Sequence, residues 1–312
     1  MTPRLPGDLA ALRAGGKRAL AAALSALETD AADPGLAALL DAALAQGRGL
    51  ALGLTGPPGV GKSTLVNALI ASLRARGETV GVIAVDPSSR RSGGALLGDR
   101  TRIETDPEDG GVFVRSMAAR RRLGGLSDIA YPAMTLMRAV FDLVIVETVG
   151  VGQSETEIGD VADLVVFCAQ PGSGDALQFM KAGVMEVPDV VLVTKGDLGL
   201  PARRAAADLR GALSLAAGDR APADVAIVSA LDGTGIDAAI ELVRTRAAGR
   251  GDPARRRAQG LAWAEGRLAD SFGSVGAAAL RPRLVGSGSP FATVARLLES
   301  GRAAVHDCLK EV

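Results

Sequence analysis

The chain has 312 residues, with 35 Lys+Arg set against 35 Asp+Glu, a formal net charge of +0 at pH 7. That balance excludes nucleic-acid binding driven by bulk positive charge, and an apolar content of 48% excludes a disordered chain. The length allows about two domains, or one α/β domain with helical extensions.

Residues 7–47 carry Leu9, Leu12, Leu20, Leu24 and Leu27 among spaced charges, which predicts two or three helices, broken at Asp33-Pro34-Gly35. Arg4, Asp8, Arg13, Lys17 and Arg18 interrupt the stretch in which a signal peptide needs an apolar core, so a cytoplasmic protein is expected. The longest charge-free run, Gly49–Gly61, is shorter than the roughly 18–20 apolar residues of a membrane helix, so no membrane association is expected.

From Leu50 the period changes. Apolar runs at Leu50–Leu54, Val80–Val85, Val112–Val114, Leu143–Val146, Leu164–Phe167, Val190–Val193 and Val225–Val228 predict strands. Several do not alternate, which points to burial on both faces and a parallel sheet. Residues 63–76, 127–139, 202–217 and 236–248 read as helices between them. The fold expected is therefore α/β, with a mainly parallel sheet. After Asp252-Pro253, residues 254–272 and 290–310 read as helices joined by Gly286-Ser287-Gly288-Ser289-Pro290. The organisation expected is a helical arm over 1–48, an α/β domain over 49–250 and a helical arm over 251–312. Two cysteines, Cys168 and Cys308, and one histidine, His306, supply no disulfide framework and too few ligands for a zinc site or a His-based triad.

Gly56-Pro57-Pro58-Gly59-Val60-Gly61-Lys62-Ser63 fits GxxxxGK[ST] between a predicted strand and a predicted helix, with Thr64 just beyond. Glycines let successive backbone N–H groups turn around an anion, and the helix N-terminus adds its positive end. Lys62 would reach the β- and γ-phosphates of a nucleotide, and Ser63 would offer its hydroxyl to Mg2+. Such a loop needs an acid at the end of a buried strand. Glu147 ends Leu143–Val146, and Gly150 follows where its N–H can meet a γ-phosphate. Asp86, after the 80–85 strand, is a second candidate acid or an Asx-turn. Asp99, in Leu97-Gly98-Asp99-Arg100-Thr101-Arg102, is a third, in a loop with the composition of a switch segment. A glutamine directly after the γ-phosphate glycine commonly orients water. Val151 stands there, with Gln153 two residues on, so slow intrinsic hydrolysis is expected, completed by a partner.

Thr194-Lys195-Gly196-Asp197 ends an apolar strand as TKxD, close to the guanine motif NKxD. An aspartate accepts the N1–H and exocyclic N–H2 of guanine together, a pair of donors adenine lacks, so Asp197 is the expected specificity residue and the Lys195 stem would cover the base. Thr194 keeps a hydroxyl but not the amide of asparagine. Ser229-Ala230-Leu231 then fits the SA[KL] loop, whose backbone meets the base oxygen.

These motifs, in this order, resemble the MeaB/ArgK-type P-loop GTPases from about residue 50 to 248, and more weakly in both arms. The longest carriers are Val85-Asp86-Pro87-Ser88-Ser89, Ser92 to Arg102, Val114-Arg115-Ser116-Met117-Ala118 with Leu123-Gly124-Gly125-Leu126, Glu147 to Glu155, and Pro171 to Gln178. The resemblance implies a GTP/GDP-binding, GTP-hydrolysing chaperone of an adenosylcobalamin-dependent acyl-CoA mutase, of the methylmalonyl-CoA mutase type. It implies a Mg2+ network of Ser63, Asp86, Asp99 and Glu147, a catalytic set of Lys62, Asp99 and Gln153, a partner-contacting segment at 171–178, and a homodimer through the C-terminal arm. The chain departs from the family at Thr194, Arg90-Arg91, Arg120-Arg121-Arg122 and Ala182, which bears on partner choice more than on nucleotide binding. A metal-delivery GTPase and a P-loop kinase are the alternatives. The scarcity of His and Cys speaks against the first, and Asp197 with Ser229 against the second.

Overall fold

The computed structural model describes residues 4–29, 32–87, 103–119, 129–148, 154–172, 188–216, 221–248 and 252–310. In chain order they form α1 (Leu9–Ala14), α2 (Gly16–Thr29), α3 (Pro34–Gln46), β1 (Leu50–Thr55), α4 (Lys62–Ala75), β2 (Val80–Pro87), β3 (Val112–Ala119), α5 (Ala130–Arg138) and β4 (Leu143–Glu147). There follow α6 (Ser154–Val161), β5 (Leu164–Ala169), β6 (Val190–Val193), α7 (Leu200–Ala216), β7 (Asp224–Ile227), α8 (Ile236–Ala247), α9 (Pro253–Ser287) and α10 (Pro290–Lys310). The described residues fall into two compact units. One takes those of Met1–Gly49, Tyr131–Val140 and Asp252–Val312, and the other those of Leu50–Ala130 and Phe141–Gly251.

The second unit is built on a seven-stranded sheet in the order β3-β2-β4-β1-β5-β6-β7. Every pairing is parallel. Parallel strands covered by helices on both faces need apolar side chains on both, which is why β4, β5 and β6 are buried at every position. The two-residue period divides the core. Leu164, Val166 and Cys168 of β5 join the cluster with Leu65 and Leu69 of α4 and Ile240 of α8. Phe167 and Ala169 join the one with Ala206 and Leu209 of α7. All seven predicted strands are present, and β2, β3 and β5 run two to five residues past their apolar cores.

One helix was not readable. α6 packs onto β1 so closely that a β-carbon on Gly53 would stand 2.4 Å from Ile158 Cγ1. A glycine in mid-strand, an unfavourable choice on propensity, here makes room for a neighbouring helix.

In the other unit, the first helical stretch of α9 stops at the non-helical Gly273 (φ 72°), directly after the predicted end at residue 272, and a second stretch that was not predicted, with Pro282 inside it, runs on to Ser287. Tyr131 of α5, Trp263 of α9 and Phe291 of α10 form a ring cluster with centroids 4.7–6.3 Å apart. The chain's one tryptophan and one tyrosine are thus spent together in a core made mainly of alanine and leucine, with Met134, Met137 and Val294. Arg256 donates to the carbonyls of Gly47 (2.8 Å) and Gly49 (3.1 Å), and the Tyr131 hydroxyl donates to the carbonyl of Arg256 (3.0 Å). The Asp41 carboxylate of α3 accepts the amides of Phe291 (3.2 Å) and Ala292 (3.0 Å), capping the first turn of α10 from another helix.

Burial raises the Asp41 pKa above its ordinary 3.8, and the two amide donors offset this only in part. A raised folded-state value means that the folded protein binds this proton more tightly than the unfolded chain. The Asp41 contribution is therefore greatest below 3.8 and declines as pH rises through the raised value. Asp41→Asn should remove that acid-range decline, so that the wild-type-minus-variant stability difference in urea unfolding falls as pH rises from below 3.8 through the acid range. Gly53→Ala should destabilise the protein by about 1–3 kcal/mol in the same assay, the usual cost of overpacking.

Candidate functional site

The C-terminal edge of a parallel sheet is where open α/β folds bind ligands, beside the strand at which connections diverge. Here that strand is β1, flanked by β4 and β5. The loop leaving it turns through Gly56 (φ 142°), Gly59 (φ 74°) and Gly61 (φ 96°), a backbone that side chains rarely permit. Gly56 also has no space for one, since a β-carbon there would lie 2.4 Å from the Cys168 carbonyl oxygen of β5.

Lys62 opens α4 and is buried. Its ammonium donates to the carbonyls of Gly56 (2.7 Å) and Pro57 (3.2 Å), folding back across its own loop. The Ser63 hydroxyl donates to Oε1 of Glu147 at 2.9 Å. Glu147 ends β4 in register with Leu54 of β1 and Ala84 of β2, which sets its carboxylate beside the loop. Just past it, the Thr148 hydroxyl donates to that of Thr55 (3.0 Å), and both residues are buried. Sequence reasoning missed this pair, although a hydroxyl residue ends β1 and another directly follows the acid.

β6 brings the base motif to the same edge. Thr194 is 4% exposed, and its hydroxyl donates to the Val60 carbonyl of the phosphate loop at 2.7 Å, with the Ala169 carbonyl at 3.0 Å. Lys195 is the sole non-glycine residue with positive φ (55°) among the described residues, a conformation that costs roughly 1–2 kcal/mol. It carries the Lys195 ammonium to Gln170 Oε1, 2.5 Å away at the end of β5. Asp197 is exposed in a single 3-10 turn, Gly196–Leu198, and accepts a hydrogen bond from the fully buried Ser229 hydroxyl at 3.1 Å. The TKxD and SAL segments are thereby joined: the Gly196 amide also donates to the Val228 carbonyl (2.9 Å). Leu231 turns its side chain to solvent at 84% exposure.

The phosphate-loop residues Gly56, Pro57, Pro58, Gly59, Val60, Gly61, Lys62 and Ser63, with Glu147, thus gather with Thr194, and Thr194 leads through Lys195 and Asp197 to Ser229. Thr64 lies exposed on the first turn of α4. Asp86 is the last residue but one of β2, but its carboxylate lies outside the described residues, as do Asp99, Gly150 and Gln153, the arginines at 90–91 and 120–122, and residues 173–187 with Ala182. Among the described residues no three His, Cys, Asp or Glu side chains cluster as a metal site. Ser63 and Glu147 are a pair of oxygen donors, the type a hard cation takes together with phosphate oxygens. Burial pushes the Cys168 thiol up to about 12, so it is protonated and unreactive beside the loop. A largely apolar hollow, lined along β1 by Leu50, Leu52 and Leu54 and reached also by Glu78, Asp142 and Arg244, contains none of these groups.

A parallel sheet whose central strand feeds a glycine loop onto a helix, with the bonded pair Asp197 and Ser229 on the same edge, defines a P-loop protein of the GTPase class. The chain belongs to the family described as methylmalonyl Co-A mutase-associated GTPase MeaB, whose model matches residues 20–274. A GTPase-class protein of Caulobacter vibrioides is 40% identical over 290 residues, covering 88% of this chain and 89% of its own length. Another, from Pyrococcus horikoshii, is 53% identical over 147 residues, and there the chain spans about half of the relative's length (46%). A solved structure titled as an LAO/AO transport system kinase superposes with a TM-score of 0.61 at 28% identity, covering 93% of this chain and 96% of that one.

The Thr55–Thr148 pair has a direct test. Thr55→Val or Thr148→Val alone leaves a buried hydroxyl unpaired and should cost about 1–3 kcal/mol in urea unfolding. The double variant should cost clearly less than the sum, and strict additivity would show that the two hydroxyls do not act together.

Proposed function

We propose that this protein binds GTP and hydrolyses it to GDP and phosphate, slowly alone and faster with a partner. In that reading it gates cofactor loading or protection of an adenosylcobalamin-dependent acyl-CoA mutase. The observation that carries the nucleotide half is the junction of the two recognition loops, in which Thr194 of the base motif is bonded to Val60 of the phosphate loop. One ligand long enough to place phosphates on Lys62 and a base on Asp197 would engage both. The family description supports the mutase half.

On binding, phosphate oxygens would take the Lys62 ammonium from the carbonyls of Gly56 and Pro57, and backbone N–H groups of the loop would surround them. Ser63 and Glu147 would hold Mg2+, with Asp86 and Asp99 as further members of that set. When bound, the ion would neutralise negative charge on the phosphates. Asp197, oriented by Ser229, would accept both guanine donors, with Ala230 and Leu231 offering backbone to the base oxygen. Gly150 would meet the γ-phosphate and Gln153 the attacking water.

The C-terminal helical arm, residues 251–312, is proposed as the homodimer contact. Supporting this, the second half of α9 exposes Val275 (83%) and Val285 (51%). A cytoplasmic location is proposed as well. Among the described residues no helix is long and apolar enough to cross a membrane.

The test is GTP turnover by the purified protein, with and without a cobalamin-dependent acyl-CoA mutase of the same genome. Slow release of inorganic phosphate that accelerates with the mutase is expected, and turnover indifferent to every such mutase would remove the partner from the proposal. Transfer of the phosphate to another acceptor, or ATP competing as well as GTP, would favour a kinase. Asp197→Asn should move preference from GTP towards XTP by at least about tenfold, because the amide matches the carbonyl that replaces the guanine amino group.

A further inference from the structure

We propose that this protein reads guanine without using N7, so that Thr194 makes its base site blind to the imidazole edge of the ring. The inference rests on the GTP reading above and adds to it which atoms of the base are recognised.

The argument is a count of donors. N7 is an acceptor, so it is read only by a group with a proton to give. Thr194 directly follows β6 and is bonded to Val60 of the phosphate loop, so a nucleotide with its phosphates on Lys62 and the N1 and N2 edge of its base on Asp197 would bring its imidazole ring, which carries the sugar, nearest Thr194. Asp197, three residues on, is left to the N1 and N2 edge. Thr194 has two protons to offer. Its amide N–H is committed to the Ala169 carbonyl at 2.8 Å. A hydroxyl has one proton, and here both oxygens within reach of it are carbonyls: Val60 at 2.7 Å and Ala169 at 3.0 Å. Whichever carbonyl takes it, no proton is left for N7, and at 4% exposure the hydroxyl has little freedom to turn elsewhere.

An asparagine amide carries two donors. One could hold the Val60 carbonyl while the other faced the base. Threonine keeps the tether between the loops and gives up the second contact. Thr194 is therefore a specificity-determining residue for the edges of guanine that matter, while Asp197 separates guanine from adenine.

The experiment is competition binding of GDP, 7-deaza-GDP and ADP to the full chain. 7-Deazaguanine replaces N7 by C–H and leaves the N1, N2 and O6 groups unchanged. For the wild-type protein GDP and 7-deaza-GDP should bind within about twofold of each other, while ADP binds far more weakly. Thr194→Asn should open a gap of about three- to tenfold in favour of GDP, the usual worth of one hydrogen bond. Thr194→Val, which removes the tether alone, should weaken both guanine nucleotides equally and leave their ratio near one. A merely structural role for Thr194 would not move that ratio in the asparagine variant. A wild-type protein that prefers GDP over 7-deaza-GDP by tenfold overturns the inference while leaving the GTP reading intact. Absence of GDP binding, or ADP binding as well as GDP, takes down the GTP reading and this inference with it. The wild-type comparison decides the matter even where a variant does not fold.

Discussion

The carbonyl oxygen of Cys168 stands where a β-carbon on residue 56 would have to go, 2.4 Å from it. That single crowding condition fixes how closely the phosphate loop lies on β5, and much of the site follows from it. With the loop pressed to the strand, the Val60 carbonyl comes within reach of Thr194 on the next strand. The same approach seals Cys168 from solvent and keeps its thiol protonated. The loop's shape is thus held by strand backbone on one side and by Lys62, bonded to its own carbonyls, on the other.

Electrostatics is used sparingly and locally. The buried ionisable groups of the site, Lys62 and Glu147, are each held by hydrogen bonds, to loop carbonyls and to Ser63. Elsewhere charge works at the surface. Arg76 bridges Asp237 (2.9 Å) and Glu241, and Arg244 bridges Glu78 and Glu241 (3.3 Å), tying the end of α4 to α8. Exposed pairs of this kind contribute only about 0.2–1 kcal/mol each, so they tune the seating of the two helices more than they hold the fold.

The strands were legible because a covered parallel sheet demands apolar residues at consecutive positions, a pattern few other elements share. Strand ends were not, since Ser116, Asp86 and Ala119 extend β2 and β3 by backbone pairing that their side chains do not announce. α6 was invisible for a related reason. Its sequence, Ser154 to Val161, has Ile158 and Val161 as its main apolar contacts, and its place is signalled instead by Gly53 in another element. α5 was read as a helix but not as a member of the unit formed by the terminal segments, because it is buried nearly throughout and so shows no polar face. Within the site, the residue types were legible from spacing: Lys62, Ser63, Glu147, Thr194, Asp197 and Ser229. Their pairings were not. Ser63 with Glu147, Thr55 with Thr148, and Lys195 with Gln170 join residues far apart in the chain, and nothing local records them.

The strand order also sets a timetable. β1 pairs on one side with β4 and on the other with β5, and its Ala51 amide is held by the Asp163 carboxylate, 112 residues later in the chain. Closing loops of that length before any contact rewards them makes folding slow. A chain emerging from its N-terminus therefore possesses every residue of the phosphate loop long before it possesses the wall that shapes it. The lack of a side chain at Gly56 matters only once β5 arrives with the Cys168 carbonyl, and the tether to Val60 must wait for Thr194 beyond β6. Stabilisation by bound nucleotide, which acts only on states able to bind it, is thus confined to the finished sheet, and the growing chain must reach that sheet without its help.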